Sequence, residues 1–267
     1  MVSSASTRDY SLLDHPSILH ALFHPRPALG AMEAPASAED FLIPAGDDVV
    51  IGARLHRAER SGPVLLFFHG NGEIVDDYDD LAPLYIRQGI SLFVVDYRGY
   101  GRSTGTPSSS AMMRDCHVIF DFVTSCLAER GLRGPLVSMG RSLGSASALE
   151  VAARHADRVA GLVIDSGFAH TLPRLRFRGI DPERLSLEER DGFGNLDKIR
   201  SFHGPTLVIH GERDRIIDCA EGQALHEASP AERKRLLVIP GADHNNLLLV
   251  GMDQYMEAIA TFCAGLA

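Results

Sequence analysis

Six short, nearly continuous apolar runs constrain the fold of this chain most strongly. Runs of this kind are typical of strands buried on both faces, and stretches with helical character separate most of them. They cover residues 64–68, 92–95, 136–139, 161–164, 206–209 and 236–239. The alternation predicts an α/β fold with a mostly parallel central sheet and helices on both of its faces.

The segments between these runs predict the helices. We expect them near residues 77–87, 110–130, 142–154, 220–227 and 253–264. Four aspartates, Asp76, Asp77, Asp79 and Asp80, lie where the first of these helices begins. The helix dipole accounts for these charges without a metal ion, so we predict no metal site.

The chain before the first buried run has a different character. Runs at 41–43 and 49–55 predict an antiparallel hairpin at the edge of the sheet, joined through Ala45-Gly46-Asp47. Residues 1–40 are polar and rich in Pro and Ala. We interpret them as an N-terminal strap in front of one domain, residues 41–267.

The strap contains one apolar stripe at helical spacing, which predicts a short helix that begins at Asp14 or Pro16. The stripe consists of Ile18, Leu19, Leu22 and Phe23. Packing of this helix on the domain is the simpler interpretation, and a helix that touches a membrane surface is the alternative.

The clearest chemical motif follows the run at 136–139. This run leads directly into Gly140-Arg141-Ser142-Leu143-Gly144, and a strong helix-forming segment comes next. The order predicts a strand, a sharp turn and a helix, with the Ser142 hydroxyl exposed at the carboxyl end of the sheet. The N–H groups at the helix start suit an oxyanion that forms beside the serine. We therefore predict that Ser142 is a nucleophile.

A second match to the same pattern, Gly101-Arg102-Ser103-Thr104-Gly105, lacks this context. It lies well beyond the preceding strand, after a loop, and Thr106-Pro107 rather than a helix follows it. We therefore interpret Ser103 as a loop residue.

A serine nucleophile needs a base within hydrogen-bond reach and a third group that orients the base. His244 and Asp214 come directly after the last two strands, at the edge of the sheet where ligands bind. Their positions give the chain order serine, aspartate, histidine that this architecture uses. We predict His244 as the base and Asp214 as the acid. The alternatives for the acid are Asp218, Asp165 and Glu212.

The oxyanion hole is predicted to combine the main-chain N–H of Leu143 with one from the loop after residues 64–68. In that loop Asn71 is the first choice and Gly72 the second, and we expect His69 to brace the loop. The residues assigned to substrate binding are Gly70, Gly72, Phe168 and Leu172.

Residues 168–204 are predicted to form a short lid over this edge of the sheet. The lid alternates Leu172, Leu175, Phe177 and Ile180 with Arg174, Arg176 and Arg178. An apolar and basic segment suits a fatty chain next to an anionic group. A solvated helix face explains the arginines equally well.

Composition narrows the classes of partner and location. With 26 basic and 35 acidic residues the formal net charge is −9, so we expect no nucleic-acid partner. The four cysteines are scattered, which indicates reduced thiols. We find no signal-peptide pattern, lipid-anchor motif or apolar run long enough to span a membrane. We therefore expect a cytoplasmic protein without a stable membrane anchor, and its oligomeric state stays open.

Six motifs in a fixed order carry a resemblance to a known superfamily. They are HGNGE (69–73), DYRGYGRSTGTPS (96–108), GRSLG (140–144), NLDKI (195–199), HGERDRII (210–217) and GADH (241–244). In these motifs the chain resembles the α/β-hydrolases over about residues 64–262. Within them it resembles the short-lid serine hydrolases that include cytosolic protein depalmitoylases and many uncharacterised bacterial members.

The resemblance implies an α/β-hydrolase fold and the roles given above for Ser142, Asp214, His244, Asn71 and Leu143. It does not extend to the substrate, because the depalmitoylases carry an N-terminal cysteine cluster for membrane attachment that this sequence lacks.

We therefore expect a serine hydrolase that cleaves carboxylic esters or thioesters through an acyl-enzyme, with a small-molecule or acyl substrate and no cofactor. A peptidase of short peptides is one alternative, with Glu73 as the candidate that binds a substrate amino group. The other is a binding protein that kept the fold and lost turnover.

Overall fold

A computed structural model of the chain describes residues 8–29, 34–35, 38–46, 48–58 and 62–266. Eight strands form one sheet in the order β1-β2-β4-β3-β5-β6-β7-β8. The strands are β1 Ala38–Pro44, β2 Val50–His56, β3 Val64–Phe68, β4 Ser91–Val95, β5 Leu136–Arg141, β6 Gly161–Asp165, β7 Thr206–Gly211 and β8 Lys234–Ile239. All eight predicted strands are present. Asp47, in the predicted hairpin turn, lies outside the described residues.

The strand directions give the predicted fold class. β1 pairs with β2 and β2 with β4 in antiparallel register, whereas each of the other pairs in the sheet is parallel. The sheet is therefore mostly parallel with an antiparallel N-terminal edge. This arrangement confirms the α/β-hydrolase architecture.

Helices cover both faces of the sheet. They are α1 Pro16–Leu22, α2 Ala82–Ile86, α3 Ser109–Glu129, α4 Ser145–Arg154, α5 Thr171–Phe177, α6 Asn195–Ser201, α7 Cys219–Ala228 and α8 Leu247–Ala264. Apolar residues of α3 and α4 belong to the core on one face, and those of α2 and α8 belong to the core on the other.

β3 shows why the strands appear in the sequence as continuous apolar runs. Val64, Leu66 and Phe68 contribute to one core, and Leu65 and Phe67 contribute to the other. Successive side chains of a strand point to opposite faces, so a strand covered on both sides must be apolar at every position.

Two predicted helices differ from the structure. The segment 77–87 is divided into a 3-10 turn, Val75–Tyr78, and the short α2, because Pro83 in the first turn of α2 favours the start of a new helix. α8 begins at Leu247 rather than at 253, and Gly251 interrupts its regular backbone with a ψ of 36°.

The acidic cluster before α2 is paired with a buried arginine. Arg54 on β2 lies 2.6 Å from Asp79 and 3.3 Å from Asp76. Asp77 accepts a hydrogen bond from the Ile74 N–H at 3.0 Å. Ion pairing therefore stabilises these carboxylates in addition to the helix start that the sequence indicates.

Within the described part of the chain, α8 alone has the length and hydropathy of a membrane-spanning helix. It packs on β7 and β8, and its Tyr255, Ile259 and Cys263 are buried there. Core packing against the sheet accounts for the apolar character of these buried positions, whereas Leu249, Val250 and Met252 near the start of α8 are exposed.

Within the strap, the described segment 8–29 packs on the domain. α1 begins at Pro16, and Ile18 and Leu22 are fully buried. Arg26 at the end of this segment donates to the Gly72 carbonyl in the loop after β3, at 3.1 Å. This contact brings the strap to the edge of the sheet where the predicted site residues lie. Strap residues 1–7, 30–33 and 36–37 lie outside the described residues.

Candidate active site

The turn after β5 has the tight geometry that the sequence indicates. Ser142 has a φ of +51°, a left-handed backbone that is strained for a residue with a side chain. A Cβ on Gly144 would collide with the Phe68 carbonyl oxygen and lie 2.7 Å from that of His69. Glycine at 144 therefore lets the start of the helix approach β3 closely and places Ser142 at the apex of the turn.

Ser142, His244 and Asp214 form one continuous chain of hydrogen bonds. His244 Nε2 lies 2.9 Å from Ser142 Oγ, and His244 Nδ1 lies 2.6 Å from Asp214 Oδ2. All three residues are buried at the carboxyl end of the sheet. This order of contacts is the one needed for an imidazole that takes a proton from a serine hydroxyl.

The Asp214 carboxylate is held on both oxygens. Its Oδ1 accepts the N–H groups of Ile216 and Ile217 at 2.9 and 2.8 Å, and its Oδ2 faces His244. Burial opposes ionisation, but hydrogen bonds from His210, His244 and the Ile217 N–H outweigh it and hold the pKa of Asp214 well below its usual range. An ionised Asp214 keeps the proton of His244 on Nδ1 and leaves Nε2 free to accept one.

The other serine and the other acids are bonded elsewhere. Ser103 Oγ accepts the Gly52 N–H at 2.8 Å, which ties its loop to β2. The three alternative acids each have a different partner. Asp218 caps α7 through the Ala220 N–H, Asp165 accepts the Tyr255 hydroxyl, and Glu212 accepts the Gly241 N–H.

The loop after β3 lies against the strap. The Asn71 side chain accepts the His24 N–H at 2.9 Å and the Tyr100 hydroxyl at 2.6 Å, and it donates to His24 Nδ1 at 2.7 Å. Because the side chain of Asn71 is already hydrogen-bonded, its main-chain N–H is the group that an oxyanion can use. Leu143 lies in the first turn after Ser142, where N–H groups have no intrahelical acceptor.

Arg141 connects three parts of the site, and sequence reasoning missed this role. Its guanidinium donates to the Glu73 carboxylate and, through Nη2, to the His244 carbonyl oxygen at 2.6 Å. Glu73 also accepts the Gly70 N–H at 2.7 Å and the Tyr78 hydroxyl at 2.6 Å. Burial disfavours the Glu73 carboxylate, yet Arg141 and Tyr78 hold its pKa below its usual range. No motif or periodicity in the sequence links Arg141 to Glu73 or to the His244 carbonyl.

Comparison with known proteins places this geometry in a family. Residues 60–179 match a family model described as serine aminopeptidase, S33. The chain is 30% identical over 240 residues to an uncharacterized protein of Mycobacterium tuberculosis, across 85% of this chain and 83% of that protein. It is 33% identical to alpha/beta hydrolase domain-containing protein 17B of Xenopus laevis, across 75% of this chain and 66% of that protein. The chain belongs to the α/β-hydrolase superfamily.

Solved structures agree with this membership at the level of the fold. An esterase from Pyrococcus furiosus superposes on this α/β-hydrolase with a TM-score of 0.73, covering 91% of this chain and 99% of the esterase. Because the two share 18% sequence identity, the likeness describes the fold alone.

The residues assigned to substrate binding lie in different surroundings. A Cβ on Gly70 would lie 2.8 Å from Arg141 Nη1, so Gly70 faces the ion pair, whereas a Cβ on Gly72 would meet open space. Phe168 is buried, with its ring beneath the Arg174 guanidinium at 5.7 Å. Leu172 is also buried, and its N–H donates to Glu189 at 3.0 Å.

The segment between β6 and β7 contains two kinds of structure. α5 and two 3-10 turns, Glu183–Leu185 and Glu189–Asp191, follow β6, and α6 then packs between α4 and α7. The prediction of a lid therefore applies to the residues of this segment that precede α6.

Proposed function

We propose that this α/β-hydrolase is a serine hydrolase that cleaves carboxylic esters or thioesters through an acyl-enzyme. The hydrogen-bond chain from Ser142 through His244 to Asp214 carries the proposal. The esterase from Pyrococcus furiosus with the same fold supports it. The four cysteines are all free thiols, which suits the reducing cytoplasm as its location.

The proposed reaction uses side chains and main-chain N–H groups alone. Ser142 Oγ attacks the carbonyl carbon while His244 Nε2 takes its proton, and Asp214 stabilises the resulting imidazolium. The main-chain N–H groups of Asn71 and Leu143 bind the oxyanion. The alcohol or thiol leaves with the proton from His244, and a water molecule activated by His244 then releases the acid.

A peptidase is the second candidate, because the matching family model is described as a serine aminopeptidase. An aminopeptidase needs a carboxylate that is free to bind the protonated amino group of its substrate. Glu73, the sequence candidate for that task, is already bonded to Arg141, Tyr78 and the Gly70 N–H. The surroundings of Glu73 therefore favour ester and thioester substrates.

Labelling with a fluorophosphonate probe tests the proposal. We expect the wild type and Ser103→Ala to react and Ser142→Ala not to react. The same proteins are then assayed with p-nitrophenyl butyrate, a butanoyl thioester and alanine p-nitroanilide. Cleavage of the anilide alone would establish the peptidase, and a wild type that neither labels nor cleaves any of the three would be a binding protein.

A further inference from the structure

Arg174 differs from the other arginines that the described part of the chain buries. These arginines are Arg54, Arg98 and Arg174. Arg54 is paired with Asp40 and Arg98 with Asp115, at 2.5 and 2.6 Å. Arg174, which is 4% exposed, has no carboxylate within ion-pair distance among the described residues. Its Nε and Nη1 are buried and have no hydrogen-bond partner there. A buried cation in this condition is costly unless a ligand supplies the missing anion.

A second arginine lies one helical turn away. Arg178 follows α5 directly, four residues after Arg174, and its Nε is also buried without a partner among the described residues. Arg176, on the opposite side of α5, is exposed and paired with Glu183 at 2.6 Å. Burial and then the charge of Arg178 lower the pKa of Arg174 to about 10, against a smaller opposing effect of the Asp214 carboxylate, so Arg174 stays cationic at neutral pH.

The cavity next to Arg174 adjoins the triad. Arg174 lines a cavity of about 200 Å³ together with Arg215 and Ile216. Two carboxylates, Asp218 and Glu221, line the same cavity, and each already accepts main-chain N–H groups. The same two residues also line the neighbouring cavity that contains His244. Ile216 in addition donates its N–H to Asp214. An anion bound at Arg174 would therefore lie beside the loop that carries the catalytic acid.

The charges of Arg174 and Arg178 also act on His24 in the strap. Burial and then the charges of Arg178, His20 and Arg174 lower the pKa of His24, whose ring accepts a hydrogen bond from the Asn71 side chain. The charges of the two arginines therefore reach His24, which contacts the loop of the predicted oxyanion hole.

We propose that Arg174 and Arg178 form a subsite that binds a carboxylate or phosphate group of the ester or thioester substrate. The subsite rests on the proposed function and narrows its substrate class to anionic esters. Planar guanidinium groups bind both kinds of oxyanion in a bidentate manner. The ring of Phe168 beneath Arg174 keeps the guanidinium plane in place and leaves its edge for the anion.

Matched esters test the subsite on either side of the scissile bond. On the acyl side, the monoester of glutarate with p-nitrophenol is compared with p-nitrophenyl pentanoate. On the leaving-group side, butanoyl esters of 4-hydroxybenzoate and of 4-hydroxyphenyl phosphate are compared with that of methyl 4-hydroxybenzoate. The two anionic leaving groups also distinguish carboxylate from phosphate. Each substrate is assayed with the wild type, Arg174→Met, Arg178→Met and the matched control Arg176→Met.

We expect the wild type to prefer at least one anionic ester over its neutral partner in kcat/KM. Arg174→Met should reduce this ratio about 10- to 100-fold, as is typical when a charged hydrogen-bond partner is removed, with most of the change in KM. Arg178→Met should reduce the ratio less, because Arg178 is half-buried. Arg176→Met should leave the ratio within twofold of the wild type.

Equal losses on neutral and anionic esters in Arg174→Met, or a wild type without any anionic preference, would overturn the subsite. Arg174→Lys, which keeps the charge without the planar fork, should retain part of the preference and so shows that the fold is intact. If the wild type does not react with the fluorophosphonate, the proposed function fails but the subsite can still be tested. In that case glutarate or inorganic phosphate should raise the melting temperature of the wild type more than that of Arg174→Met.

Discussion

Replacement of Arg141 by Met tests whether the loops of the site are held together by one side chain. The guanidinium joins the Glu73 carboxylate, in the loop after β3, to the His244 carbonyl oxygen, in the loop after β8. Methionine keeps most of the aliphatic stem and removes both contacts. The nucleophile next to it in the chain is left in place.

The contacts of Arg141 set the expected losses of stability and of kcat. Removal of one partner of a fully buried ion pair costs about 3–5 kcal/mol. Here the Glu73 side chain is 26% exposed and keeps its bonds to Tyr78 and Gly70, so about 2 kcal/mol of unfolding free energy is the expected loss. The charged bond to the His244 carbonyl is worth about 1.5–3 kcal/mol. If half of this free energy serves to hold the loop of His244 in place in the transition state, kcat falls about 4- to 13-fold.

The assay is a double-mutant cycle with Arg141→Met, Glu73→Gln and the double variant. Unfolding in urea gives stability, and p-nitrophenyl butyrate gives kcat and KM. We expect Arg141→Met to lower kcat with little change in KM, and the double variant to resemble Arg141→Met, because both changes break the same contact. A kcat within twofold of the wild type, or losses that simply add in the double variant, would refute the reasoning.

Three further predictions concern the turn, the acid and the response to pH. Gly144→Ala should lower the free energy of unfolding by about 3 kcal/mol or more, because the new Cβ collides with main-chain carbonyls. Gly89→Ala, at a φ of +73° with open space around it, should lower it by about 1 kcal/mol. Unfolding in urea compares the two variants. Asp214→Asn should lower kcat about 10³- to 10⁴-fold, while Asp218→Asn, which preserves a helix cap, should leave it unchanged in the ester assay. Burial lowers the pKa of His56 in the folded state, so the unfolded chain takes up the proton first and stability should fall as the pH drops below about 6.5. Urea titrations at pH 7.5 and 5.5 should show a smaller fall in His56→Gln, and an equal fall in both proteins would contradict the assignment.

The sheet could be predicted because burial on both faces leaves a direct mark on the sequence. A strand such as β3 must be apolar at every position, and the residue that follows it must lie at the ligand-binding edge. The same logic brings Asp214 and His244 to Ser142, since each follows a parallel strand. The helix at 77–87 was predicted less well, because the choice between one helix and two depends on local packing around Pro83.

The contacts that support the site could not be predicted in this way. Arg141 meets Glu73 across 68 residues and His24 meets Asn71 across 47, and neither pair follows a period that a strand or helix would impose on the sequence. The arginines of α5 are an intermediate case. The alternation of apolar and basic residues does not show which arginine is buried. The helical spacing of four residues, however, places Arg174 and Arg178 on one side and Arg176 on the other.

Two arginines near the triad, Arg141 and Arg174, have different electrostatic surroundings. On the side of Glu73, a carboxylate and Arg141 neutralise each other, so this pair can serve as a rigid connection without attracting a charged ligand. On the side of α5, Arg174 has two buried nitrogens without a hydrogen-bond partner among the described residues, and Asp214 acts on its charge only from a distance. Since buried charges are normally paired, the paired Arg141 is expected to be structural, and the buried Arg174 without an ion pair is the residue that we propose for anion binding.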